Sequence, residues 1–139
     1  MSYTEILAEV VRGLGAASIT IRMQRAHFES LIPEMKACHN GTINLRLEKP
    51  VRIDNPDRVT DYDWGGGGPE RFGILRIGLE FPIGGVAYPA WVYIPYGSPH
   101  LHDRFQIEVL AARIEGISYG VRCRVLIPRA KVENGIVVV

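Results

Sequence analysis

The segment His100-Leu101-His102-Asp103 carries the spacing closest to a metal site in this chain. Residues two apart on a strand point to the same side, so both imidazoles can reach one cation. Zinc catalysis needs a third ligand, and Asp103, His39 and His27 are the candidates, with no spacing that fixes any of them. A two-ligand match is a weak motif. A polar loop after Pro95 and Pro99, leading into a strand near Arg104, accounts for the same residues. A metal-dependent hydrolase using His100 and His102 is therefore the second reading of the chain.

The run Asp61-Tyr62-Asp63-Trp64, followed by Gly65–Gly68 and Pro69, offers three chemistries and fits one. Asp61-x-Asp63-x-Gly65 has the opening of a calcium loop, but Phe72 stands where the bidentate glutamate belongs. The glycines lack the Lys-Ser or Lys-Thr and the following helix of a phosphate cradle; Pro69-Glu70-Arg71 follow instead. Four glycines in a row lose much backbone entropy on ordering, so a flexible loop spanning about 54–70 is expected, presenting Tyr62 and Trp64 as contact residues.

Arginine and aromatic side chains form the remaining signal. Arg76, Trp91, Tyr93, Arg122 and Arg124 fall on the phase of their strands opposite the apolar one. Arginine forks suit anionic groups, Trp64, Trp91 and Tyr93 suit a planar group, and these residue types are enriched at contact hot spots. No serine or cysteine sits in a nucleophile motif. The first reading is a small, non-enzymatic binding protein of inhibitor, sequestering or assembly-subunit type. It grips a protein partner or an anionic small ligand through the Arg/aromatic face and the glycine loop, and needs no cofactor.

Composition bounds these readings. The 139 residues make one ordinary domain, and 47% hydrophobic content suffices for one core. A net charge of +1 gives no long-range field and disfavours nucleic acid. Cys38 and Cys123 make neither a disulfide framework nor a zinc cluster. With no signal-like start and no apolar run of ~20 residues, a soluble cytoplasmic protein without membrane contact is expected.

The elements that must position these residues read as helices followed by strands. Ile6, Leu7, Val10, Val11 and Leu14 form an apolar stripe at helical spacing behind a Ser2/Glu5 capping box, which predicts a helix over 3–14. Ser18–Met23 alternates like a strand. Phe28, Leu31, Ile32 and Met35 return to helical spacing, with Pro33 at a kink or a first turn. From Thr42 the period is two.

Gly84-Gly85 predicts a primed hairpin pairing Phe81 with Tyr88, Leu79 with Ala90, Ile77 with Val92 and Leu75 with Ile94. Pro89 places that strand at a sheet edge. A turn at Glu115-Gly116-Ile117 predicts a second hairpin aligning Phe105 with Ile127, Ile107 with Val125 and Val109 with Cys123, with Glu108 opposite Arg124. Asn134-Gly135 folds the tail into a last hairpin. The expected fold is α+β, with N-terminal helices on one face of an antiparallel meander of about five strands. The Pro89 edge and the apolar Ile136–Val139 tail predict a homo-oligomer.

Overall fold

Alternation of apolar and polar residues runs further through this chain than the helical stripes suggest. In the computed structural model of the protein it resolves into strands almost everywhere. The structure describes residues 2–12, 29–30, 32–38, 42–63, 69–96 and 104–139. The strands are β1 (Tyr3–Val11), β2 (Ile43–Leu47), β3 (Val51–Arg52), β4 (Arg58–Asp63), β5 (Pro69–Glu80), β6 (Ala87–Pro95), β7 (Gln106–Ala111), β8 (Arg122–Pro128), β9 (Lys131–Glu133) and β10 (Ile136–Val138). A 3-10 helix, Pro33–Ala37, lies between β1 and β2, with Pro33 in its first turn.

Six strands close on themselves in the order β5-β6-β7-β2-β1-β8, with β8 returning to β5. Every pairing in the ring is antiparallel. Closure leaves the ring without open edges, and alternate residues fill its interior. These are Ile6, Ala8 and Val10 from β1, Leu45 and Leu47 from β2, and Leu75, Ile77 and Leu79 from β5. Facing them are Ala90, Val92 and Ile94 from β6, Ile107 and Val109 from β7, and Cys123, Val125 and Ile127 from β8. Each fully buried branched side chain contributes roughly 1.5–3 kcal/mol of transfer free energy, so the ring interior dominates stability.

Both barrel ends are covered. At one, the 112–121 connection buries Ile114 and hydrogen-bonds to Val10 through Gly120 and Val121. At the other, β3, β10 and β9 form a small sheet whose Val51 and Val137 join the interior together with Val139. Outside the ring, Phe72, Ile74, Trp91, Tyr93 and Leu110 from β5, β6 and β7 form a second cluster beneath Met35 and Cys38.

The expected α+β architecture, with N-terminal helices packed on an open meander, is therefore corrected: the described residues form a closed six-stranded β-barrel. Residues 3–11 are β1, not a helix. Ile6 and Val10 lie four apart, which places them on one face of either a helix or a strand. Ala8 decides the matter, because it is buried between them while Glu5 and Glu9 point out. The reading of 18–23 as a strand lies outside the described residues.

Pairings need correction too. The β5–β6 hairpin exists, but its register is displaced by two residues: Leu79 pairs with Tyr88 and Ile77 with Ala90. The turn is a wider loop, closed by Phe81 N–H to Val86 C=O and Gly85 N–H to Pro82 C=O. Pro89 is not on an edge strand, since β6 lies between β5 and β7. It falls just beyond the last β7 pair, Ala90 with Ala111, where its missing N–H leaves no ladder bond unmade. β7 and β8 are not partners; β7 pairs with β2 and β6, and β8 with β1 and β5. The 54–70 loop contains β4, which pairs with β5 from Arg58–Ile74 to Asp63–Pro69.

The tail hairpin forms around Asn134 and Gly135, whose φ values of 52° and 78° suit a primed turn. Its apolar edge is paired within the chain, because β10 runs parallel to β3 and the Val139 carbonyl accepts from the Asp54 and Asn55 N–H groups.

Candidate functional site

Among the described residues, the sequence-predicted binding positions fall at separate places on the barrel. Trp91 and Tyr93 share the outer cluster and are buried beneath the 3-10 helix, with no ring face open to a planar ligand. Arg76 lies beside them: its guanidinium donates to Glu34 Oε2 at 3.2 Å and sits 5.8 Å from the Trp91 ring centroid. It fastens the helix to the sheet. Arg122 pairs with Glu48 at 3.0 Å and Arg124 with Glu80 at 3.1 Å. The backbone of Tyr62 pairs with Glu70 in the β4–β5 hairpin. Trp64, the glycine run, His100 and His102 lie outside the described residues. Among the described residues no three His, Cys, Asp or Glu side chains gather as a metal ion requires, and no helix is long and apolar enough to cross a membrane.

β5 carries two neighbours on one edge, β4 along its first half and β8 along its last residues. Where they part, Asp57 Oδ2 accepts the Arg76 N–H at 2.6 Å and takes the place of a strand carbonyl. A concavity of about 990 Å³ opens there, between Tyr3, Pro89, Leu126 and Arg129. Its Asp57 and Arg76 are committed to the sheet edge and to Glu34.

A smaller cavity, about 260 Å³, has a different origin. Tyr96 N–H donates to Arg71 on β5, so even-numbered positions at this end of β6 face β5 and odd ones face β7. The last β6–β7 pair is Tyr93 with Glu108. The next odd position is Pro95, opposite Gln106, and proline has no N–H to donate. The ladder stops there and the strands part. Barrel-interior side chains Val92, Ile94 and Ile107 then line an opening roofed by Val51 and Ile53.

The rim is polar: Arg52, Asp54, Tyr96, Arg104, Gln106 and Glu108. Arg52 is spent on Asp54 at 3.0 Å and Glu133 at 3.1 Å. Glu108 sits on the outer face of the sheet between its ladder neighbours Asn44 and Tyr93. Burial, and secondarily Asp54, push the Tyr96 phenol above its ordinary pKa, with Arg71 opposing. Gly73 makes room for it, since a Cβ there would lie 3.0 Å from Tyr96 Oη and 3.2 Å from Pro56. Arg104 makes no ion pair among the described residues, and its carbonyl accepts the Val51 N–H, which ties the rim to β3.

Sequence reasoning missed Arg52, Pro95, Arg104 and the seam they frame. The available signal was Pro95 closing an apolar strand with the next strand starting about ten residues on. The chain matches no known family model and no curated protein, so its reading rests on its own geometry.

Proposed function

We propose that this protein is a small-ligand binding module, a non-enzymatic β-barrel that seats an apolar-bodied molecule in the seam between β6 and β7. The observation carrying this reading is the seam itself. Pro95 ends the ladder at the position where Ile94 and Ile107 still point inward, so interior side chains border an opening. Small-molecule sites are concave and mostly apolar with a few placed polar groups, and the seam has that make-up. It differs from the Arg/aromatic face first expected: Trp91 and Tyr93 work as packing under the 3-10 helix, and Arg76, Arg122 and Arg124 as ties between elements.

Methyl NMR of the protein titrated with 1-octanol tests the reading. Shifts concentrated at Ile53, Ile94, Ile107 and Val92 support it. Shifts spread over exposed residues such as Val59 and Val132, or none, would refute it.

A further inference from the structure

We infer that two copies of this chain associate through β9, edge to edge and antiparallel about a two-fold axis, joining their small sheets into one continuous sheet. The backbone of β9 has an open side. Val137 N–H donates to the Pro50 carbonyl and Val139 N–H to that of Arg52, so odd positions of β10 bond to β3 and even ones to β9. Ile136 and Val138 therefore bond to Glu133 and Lys131, their register partners. The N–H and C=O of Val132 point the other way, toward an edge that pairs with no strand among the described residues. All of β9 is exposed, Val132 at 71%. An exposed strand edge is a template for another strand.

The order of charges along β9 selects a second copy as that strand. Lys131 and Glu133 share one face and flank Val132. A two-fold axis through Val132 lets the two valines exchange both backbone bonds, and sets Lys131 opposite the partner's Glu133 on each side of the axis. Opposite charges directly across an antiparallel pair are stabilising, and like charges are not. An axis through Lys131 or Glu133 instead sets like charges together, so one register is favoured. Arg52 donates to Glu133 Oε2 at 3.1 Å while the Glu133 side chain stays 56% exposed. The carboxylate is thus held at the edge with its second oxygen open to the partner's lysine.

The other free edge, β4, lacks this self-complementarity. Even positions of β5 bond to it, as Tyr96 takes Arg71 for β6, so Val59 and Asp61 face outward. An axis through Val59 sets Asp61 against the partner's Asp57, and one through Thr60 sets Val59 against the partner's Asp61. An axis through Asp61 opposes two carboxylates.

Three residues a side fall far short of the about 800 Å² per partner of a standard interface, so the dimer is weak and forms as concentration rises. Sedimentation equilibrium of the full chain over a concentration series tests this, with hydrogen exchange of the Val132 amide as the local readout. The mean mass is expected to climb from one chain toward two while that amide becomes protected. Lys131→Glu is expected to weaken association about tenfold or more. So is Val132→Pro, which removes an N–H that the intrachain ladder does not use. Mixing Lys131→Glu chains with Glu133→Lys chains is expected to restore dimers, since each acidic pair then meets a basic one. A chain monomeric at every concentration would overturn the inference, as would a dimer that survives both Lys131→Glu and Val132→Pro. A folded mixture that stays monomeric would overturn the register. Should Glu133→Lys fail to fold without its Arg52 contact, the wild type and the other two variants decide.

Discussion

Replacing Arg124 with alanine separates a binding role for the β8 arginines from a structural one. Its guanidinium donates to Glu80 Oε1 at 3.1 Å, and the same oxygen accepts the Gly84 N–H at 2.7 Å. One carboxylate thus joins the β5–β8 seam to the β5–β6 loop. The Arg124 and Glu80 side chains are 30% and 14% exposed, against 59% and 47% for the Arg122–Glu48 pair. A hydrogen bond to a charged group contributes about 1.5–3 kcal/mol. Partial exposure of Arg124 puts its loss near 2 kcal/mol, whereas an open pair such as Arg122–Glu48 contributes under about 1 kcal/mol.

With ~4 °C per kcal/mol for a domain of this length, Arg124→Ala lowers Tm by about 8 °C. Glu80→Ala is the more damaging partner, because it also strips the acceptor from Gly84. Urea unfolding followed by tryptophan fluorescence, with Trp91 as a buried reporter, yields the free energies. The Arg124→Ala/Glu80→Ala double mutant should show a coupling of about 1–2 kcal/mol. If Arg124→Ala and Arg122→Ala prove equally mild and no coupling appears, the ranking of these ion pairs by burial is wrong. Arg124 would then be free for a partner.

Four further substitutions probe other parts of the molecule. Gly73→Ala drives a Cβ to 3.0 Å from Tyr96 Oη; overpacking of this kind costs roughly 1–3 kcal/mol, and 1-octanol titration should show weakened binding as Tyr96, which lines the cavity, is displaced. Gly116 and Gly84 both have φ of 88°, but only Gly116 has a neighbour, Phe81 Cε1 at 3.2 Å from its Cβ position. Each alanine variant costs about 1–2 kcal/mol of backbone strain, and equal urea midpoints for the two would show that the Phe81 approach adds nothing. Burial raises the Cys123 thiol to about 11 from an ordinary 9.0. The unfolded chain therefore ionises first, and stability contributed below pH 9 is lost as pH climbs toward 11, by up to about 2.7 kcal/mol at 1.36 kcal/mol per pH unit. Cys123→Ala should flatten that alkaline decline, and an unchanged slope between pH 8 and 11 would refute the cause.

Which residues face inward was legible in the sequence; which strands lie side by side was not. The apolar set Leu75, Ile77, Leu79, Ala90, Val92 and Ile94 is the one that fills the barrel. A register error of two residues leaves every side chain on its own face, because strand side chains repeat at two. Ile107, Val109, Cys123, Val125 and Ile127 are likewise interior, whereas Phe105, aligned with them in the sequence, is exposed. Their pairing failed because it assumed that strands joined by a short glycine turn are neighbours. Here the 112–121 connection crosses a barrel end and inserts Ile114 into the core. Closure of a ring is a non-local condition, and no window of sequence contains it.

The outer face held a readable clue of the same kind. Phe72, Ile74, Trp91, Tyr93 and Leu110 occupy the phase assigned to contact or solvent, yet they are all apolar or aromatic. Strands apolar on both faces are covered on both faces, which makes Trp91 and Tyr93 packing residues before they are ligands. The seam follows a subtler logic. Pro95 reads as the end of a strand, and that reading is right, but the consequence depends on what stands opposite. Against solvent, a missing N–H changes nothing. Against Gln106 in a closed barrel, it ends a ladder that would otherwise seal Ile94 and Ile107 inside. If that is the origin of the cavity, Pro95→Ala should restore a donor, extend the β6–β7 pairing to Gln106 and protect the residue-95 amide from hydrogen exchange. The same variant should lose 1-octanol binding as the seam closes, and unaltered binding with a newly protected amide would show that the opening owes nothing to proline.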